Sequence, residues 1–113
     1  MARRRESAPD FAAINAAALP VLETLCARWL PGGRRIGAEW VVGSLRGEPG
    51  ASCKVRLRGQ GGLRGARRSR WCDFATGERG GDPISLAAAV SGLTQVEAAR
   101  RVAAMLGVAI DNE

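Results

Sequence analysis

Trp71-Cys72-Asp73-Phe74-Ala75-Thr76-Gly77-Glu78-Arg79-Gly80-Gly81-Asp82-Pro83-Ile84-Ser85-Leu86 sets the order of structural elements in this chain. It begins as a strand ending in aromatic residues, turns at Gly77, and passes through Gly80-Gly81 to an aspartate followed by proline. An aspartate side chain accepts from the free N–H groups at a helix start, and proline is at home in the first helical turn, where its missing N–H would have no partner. The order is therefore strand, tight turn, helix. Glycine tolerates left-handed backbone angles, so at least one of Gly80 and Gly81 is expected to have a positive φ.

C-terminal to this stretch, Ile84 to Val90 is apolar nearly all round, which predicts a largely buried helix ended by Gly92. Thr94-Gln95-Val96-Glu97 is a capping box, in which hydroxyl and carboxylate each satisfy a free backbone N–H. Val96, Ala99, Val102, Ala103 and Leu106 then form a core stripe, and Gly107 closes the second helix.

N-terminal to it, Arg68 to Phe74 reads as the last of three antiparallel strands. The glycines of Gly59 to Ala66, with Arg64, make a flexible cationic loop. Before it, Cys53, Val55 and Leu57 alternate with Lys54, Arg56 and Arg58, a strand with one apolar and one basic face. The turn-rich stretch Gly43 to Gly50 separates this from a first strand on which Ile36, Ala38, Trp40 and Val42 share a face. Upstream, Phe11, Ile14 and Ala18 are spaced for a helix, Pro20 interrupts, and Val21, Leu22, Leu25 and Trp29 resume the stripe until Pro31-Gly32-Gly33. Two short helices or one kinked helix satisfy that pattern. The expectation is an α+β fold in a single domain: a basic tail at 1–8, a helical segment at 9–33, a three-stranded antiparallel sheet with two C-terminal helices at 34–107, and a tail at 108–113.

A chain of 113 residues with 46% hydrophobic and 25% charged residues suits one globular domain. The charge is less ordinary. Seventeen basic residues face eleven acidic ones, and all the basic ones except Lys54 are arginine, whose planar fork grips phosphate with two bonds. A GC-rich genome would raise arginine everywhere. Here eight basic and only two acidic residues fall within 51–80, which favours a nucleic-acid partner for the middle third over a uniform codon effect. Cys26, Cys53 and Cys72 are widely spaced and include no C-x-x-C pair, and histidine is absent. That excludes a disulfide framework and a standard zinc site, and it fits the cytoplasm. Arg3-Arg4-Arg5 before Phe11 to Leu19 loosely imitates an export signal, but Glu6, Pro9 and Asp10 interrupt it. No run is expected to reach the length of a membrane span.

The order of residues from Trp71 to Leu86 resembles the N-terminal zinc-binding domain of bacterial, plasmid and phage DNA primases. It is closest to a variant with a W-x-D-F-A-T-G-x-x-G-G-D motif in primase-helicase-like proteins of mobile elements. The resemblance extends from Gly37 to Gly107, with Glu39-Trp40 and Gly50 to Leu57 matching the preceding strands. It implies a zinc-ribbon-like sheet. In the zinc-binding form a Cys-x-x-His and a Cys-x-x-Cys flank the strands; the corresponding positions here are Gly43, Arg46, Asp73 and Thr76, so the resemblance implies a fold that has lost its metal and needs no cofactor. A residual set of Cys53, Cys72 and Asp73 falls short of the three or four nitrogen or sulfur ligands that structural zinc takes.

What the resemblance implies for function is contact with single-stranded template DNA during replication, while a separate domain polymerises. This chain leaves no room for such a domain, has no P-loop, and lacks the clustered carboxylates of two-metal nucleotidyl transfer. It is expected to be non-catalytic, either free-standing or one piece of a split primase, with a primase polymerising domain or replicative helicase as partner and no membrane. The candidate DNA contacts are Lys54, Arg56, Arg58, Arg64, Arg67, Arg68, Arg70, Trp71 and Arg79. Trp71 is a base-stacking platform if exposed and a core residue if buried; Trp29 and Trp40 belong to the core. Asp82 reads as a helix cap and Asp73 as a turn residue. A protein-interaction adaptor that uses the helices from Leu86 to Leu106, with little DNA contact, is the reading from another class.

Overall fold

A computed structural model describes residues 8–109 of the chain. The basic tail expected at 1–8 falls almost wholly outside them, as does most of the C-terminal tail. The fold is α+β, with one antiparallel sheet covered on one face by helices.

Helix α1 (Phe11–Ala18) is capped by Asp10, whose carboxylate accepts from the Ala13 N–H at 3.0 Å. A 3₁₀ turn, Leu19–Val21, takes up Pro20, and α2 (Leu22–Trp29) continues from it. The tighter 3₁₀ turn shifts the phase of the apolar stripe. Leu22, Leu25 and Cys26 are buried, whereas Val21 is exposed and Trp29 half-buried, unlike the stripe expected from the sequence. The run Phe11–Trp29 is 19 residues long with a mean hydropathy of 1.2, enough by length and composition to cross a membrane, which corrects the expectation that no run reaches that length. Its Ile14, Ala18, Leu22 and Leu25 pack into the protein's own core.

The sheet has five strands rather than three, paired in chain order: β1 (Arg34–Ile36), β2 (Glu39–Val42), β3 (Cys53–Arg56), β4 (Trp71–Asp73) and β5 (Arg79–Gly80). The expected first strand is in fact a hairpin. Ile36 pairs with Glu39 across a Gly37-Ala38 loop, and Gly37 has φ +61°, the left-handed geometry that two-residue hairpin turns require. Ile36 is consequently exposed and lies on the opposite face from Trp40. The expected third strand shrinks to three residues, and the Asp73–Glu78 turn folds β5 back onto it.

Trp40, Val42, Cys53, Val55 and Trp71 face the helices and form one core with Ile14, Leu22, Ile84, Leu86 and Val102. Helix α3 (Pro83–Ser91) starts at Asp82, whose carboxylate accepts from Ser85 N–H at 2.8 Å. Helix α4 (Gln95–Leu106) starts at the Thr94–Glu97 capping box. It turns Ala98, Ala99, Val102 and Ala103 inward, while Val96, expected in the core, is exposed at its first turn. The Ile84 N–H donates to Asn15 Oδ1 at 2.9 Å and ties α1 to α3.

Neither Gly80 nor Gly81 has a positive φ, contrary to expectation. Gly80 is required for space instead. A methyl group there would collide with the Ser85 hydroxyl and come within 2.5 Å of Trp71 Nε1. Those two groups are hydrogen-bonded to each other at 2.9 Å, so the strand must pass them without a side chain.

Candidate nucleic-acid interface

Residues directly opposite each other across an antiparallel pair share a face. With Trp40, Val55 and Trp71 turned toward the helices, the reverse face carries the row Arg34, Val41, Lys54, Cys72 and Arg79. Glu39 and Arg56 pair in the next row.

The chain between β3 and β4 closes over part of this face. Leu63 and Ala66 exchange backbone hydrogen bonds of 3.1 and 2.9 Å, and their side chains are buried against Cys72 as a second, small core. Gly65 lies close to the Phe74 ring. The glycine loop is thus a folded flap that displays arginines, not the unattached cationic loop expected from its composition.

Arg56 holds this flap. Its guanidinium lies under Gly59 and donates to the Gly62 carbonyl at 3.3 Å, while its Nε is buried without a hydrogen-bond partner. Arg70 donates to the Arg56 carbonyl at 3.1 Å, and the Arg56 N–H returns a bond of 2.7 Å to the Arg70 carbonyl. Burial first, and the neighbouring Arg56 charge second, push the Arg70 pKa below the usual arginine value. Both arginines are half-buried, so Arg56 does not stand open on the basic face that its alternation with Lys54 and Arg58 predicts. Trp71 is also corrected: at 3% exposure, with its indole N–H on Ser85, it is a core residue and offers no ring face to a base.

The remaining predicted cations are at the surface. Arg58, Arg64, Arg67, Arg68 and Arg79 are exposed and Lys54 is half-exposed; none forms an ion pair with a described carboxylate. Lys54 and Arg79 are in one cross-strand row, and Arg64 and Arg67 belong to the flap whose Leu63 and Ala66 pack on Cys72 in that row. Two members of this face were missed in the sequence. Arg34 joins the row only because Ile36 to Val42 is a hairpin. Phe74, 43% exposed, is the aromatic on this side. Strand alternation signals it, since Phe74 follows Cys72 by two residues.

The positions where the resemblance expects zinc ligands are occupied by hydrogen-bonded turns. In the first, Gly43 N–H donates to the Glu48 carbonyl at 2.7 Å, and Ser44 Oγ donates to Glu48 Oε1 at 2.7 Å while accepting from Arg46 N–H. In the second, buried Asp73 accepts from Ala75 N–H at 3.0 Å, and Thr76 Oγ1 accepts from Glu78 N–H at 3.2 Å. No three His, Cys, Asp or Glu side chains are grouped for a metal among the described residues. Cys53 pairs with Asp73 on the helix-covered face while Cys72 points to the other face, which separates the residual set. Burial, then the Asp73 charge, pushes the Cys53 thiol up to about 12; burial, then Cys53, does the same to Cys26. Neither is a thiolate near neutral pH.

No family model, curated protein or solved structure matches this chain.

Proposed function

We propose that this protein is a non-catalytic binder of single-stranded nucleic acid, associated with the priming of DNA replication, whose three central strands are a zinc-ribbon-like sheet that hydrogen-bonded turns hold in place of metal. The observation that carries the reading is the cationic face: Arg34, Lys54 and Arg79 in one row, with exposed Arg64 and Arg67 on the flap that packs on it and exposed Phe74 two residues beyond Cys72. Basic side chains spaced along a sheet track a phosphate backbone, and an exposed ring stacks bases without regard to sequence. The primase association is supported by the resemblance over Trp71 to Leu86. The absence of histidine and the neutral, buried Cys26 and Cys53 thiols support a non-catalytic role.

The test is a titration with single-stranded DNA at several salt concentrations. If about five phosphates are neutralised, affinity falls with salt at a log–log slope of about −3 to −4, from roughly 0.7 per phosphate. The variant Arg64→Ala/Arg67→Ala should flatten that slope by about 1.4, again at roughly 0.7 per phosphate, and leave melting unchanged, because neither side chain has a partner among the described residues. Arg56→Ala should behave differently and lose about 1–2 kcal/mol of stability, since it removes a charged hydrogen bond and the flap's support. A flat salt response unaltered by Arg64→Ala/Arg67→Ala would replace this reading with the adaptor. That alternative is favoured by one observation, the apolar groove where exposed Val21 and Met105 flank Leu25 and Leu106.

A further inference from the structure

Between the flap and the start of α3 lies a pocket of about 250 Å³, walled by residues 60–62 and 67–70 and by Gly81. Arg67, Arg68 and Arg70 line it, and no carboxylate does. Ser69 lines it too. It is only 5% exposed, and its hydroxyl makes no hydrogen bond among the described residues. Polar side chains in residues buried to that degree usually have a partner, so an unpartnered serine in a pocket wall points to a ligand. The backbone N–H groups of Gly61 and Gly62 are likewise uncommitted. Arg70 is crowded by Arg56, and the carboxylate of Asp82, the residue after Gly81, accepts from the Ser85 N–H at the start of α3.

We propose that this pocket binds a phosphomonoester dianion, the chemistry shared by a phosphorylated strand end and a free nucleoside monophosphate. A phosphodiester within a strand brings one charge and two unsubstituted oxygens. A phosphomonoester brings nearly two charges at neutral pH and three such oxygens. Three arginines in the wall, of which Arg70 spends one N–H on the Arg56 carbonyl, together with a serine and two glycine N–H groups and no carboxylate, match the second group. For a strand end the inference rests on the nucleic-acid reading above; for a free nucleotide it does not.

The experiment uses one single-stranded sequence in three forms, with a 5′-phosphate, a 3′-phosphate or hydroxyls at both ends. Inorganic phosphate and a nucleoside monophosphate are titrated separately, followed by amide NMR. One phosphorylated end should bind about tenfold tighter than the hydroxyl form, and that ratio should shrink below about pH 6, where the dianion takes up a proton. Inorganic phosphate should shift the Gly61, Gly62 and Ser69 amides. Ser69→Ala and Arg68→Gln should each lower the ratio severalfold, two variants so that a folding defect in one leaves the other to decide. A nucleoside monophosphate binding as tightly as the phosphorylated strand would identify free nucleotide as the occupant. Equal binding of all three strands with no amide shift overturns the pocket and leaves the cationic face standing, as does a preference that survives both variants. Amide shifts with phosphate but no strand binding keep the pocket and overturn the face.

Discussion

A side chain at Gly80 would have to displace the Ser85 hydroxyl and the Trp71 indole N–H, which are bonded to each other. Gly81, one residue on, has only the Arg68 carbonyl at 3.9 Å. Gly80→Ala should therefore cost roughly 1–3 kcal/mol, the range for overpacking a fitted site, and Gly80→Val more, whereas Gly81→Ala should cost much less. Thermal or denaturant melting of the three variants checks this; equal stability of the two alanine variants would refute it. Sequence alone could not separate the two glycines, because a need for space and a need for positive φ both call for the same residue. Trp71 was ambiguous for a similar reason. Its neighbours fixed it on a strand, but only the distant Ser85 and Gly80 show that its ring is enclosed.

At the scale of elements, the helix starts were legible because capping is local. Asp82 before Pro83, and Thr94 three residues before Glu97, need no tertiary contact to be recognised, and both caps form. Thr94→Ala should cost about 1 kcal/mol, the usual value of such a cap, measured by chemical denaturation. Hydrogen bonds from Thr94 hold the Glu97 carboxyl below its ordinary value of 4.5. A lowered pKa stabilises the fold above the unfolded value and loses that contribution as pH falls through the folded one. The main cause is the Thr94 backbone N–H, so the difference between parent and Glu97→Gln should accordingly narrow below about pH 4.5. The alternation of β3 was equally legible. The β1–β2 hairpin was not: Ile36, Ala38, Trp40 and Val42 keep a period of two straight through the loop, so a turn and a continuous strand look alike. The candidate site was legible as charge and much less so as geometry. Arg64, Arg67, Arg68 and Arg79 are at the surface as read, but the roles of Arg56 and Arg70 depend on a flap whose closure joins Leu63 and Ala66 to Cys72.

The larger of the two cores is shared by four helices and the sheet, and Cys26 and Cys53 are inside it. Both thiols are raised from 9.0 to about 12, so the unfolded chain releases these protons first as pH rises. Stability is fully present below about 9 and should decline between 9 and 12, with Cys26→Ala/Cys53→Ala declining less steeply in melting experiments. The order of the strands has a consequence in time. Each strand pairs with its neighbour in the chain, so the sheet can grow by successive short closures, and no pairing must wait for a distant segment. The contacts of α1 with α3 and α4 join residues some seventy positions or more apart, as in the Asn15–Ile84 bond. Loop-closure entropy delays such contacts. The cationic face is therefore expected to assemble from the middle of the chain, before the N-terminal helix closes over the other side of the sheet.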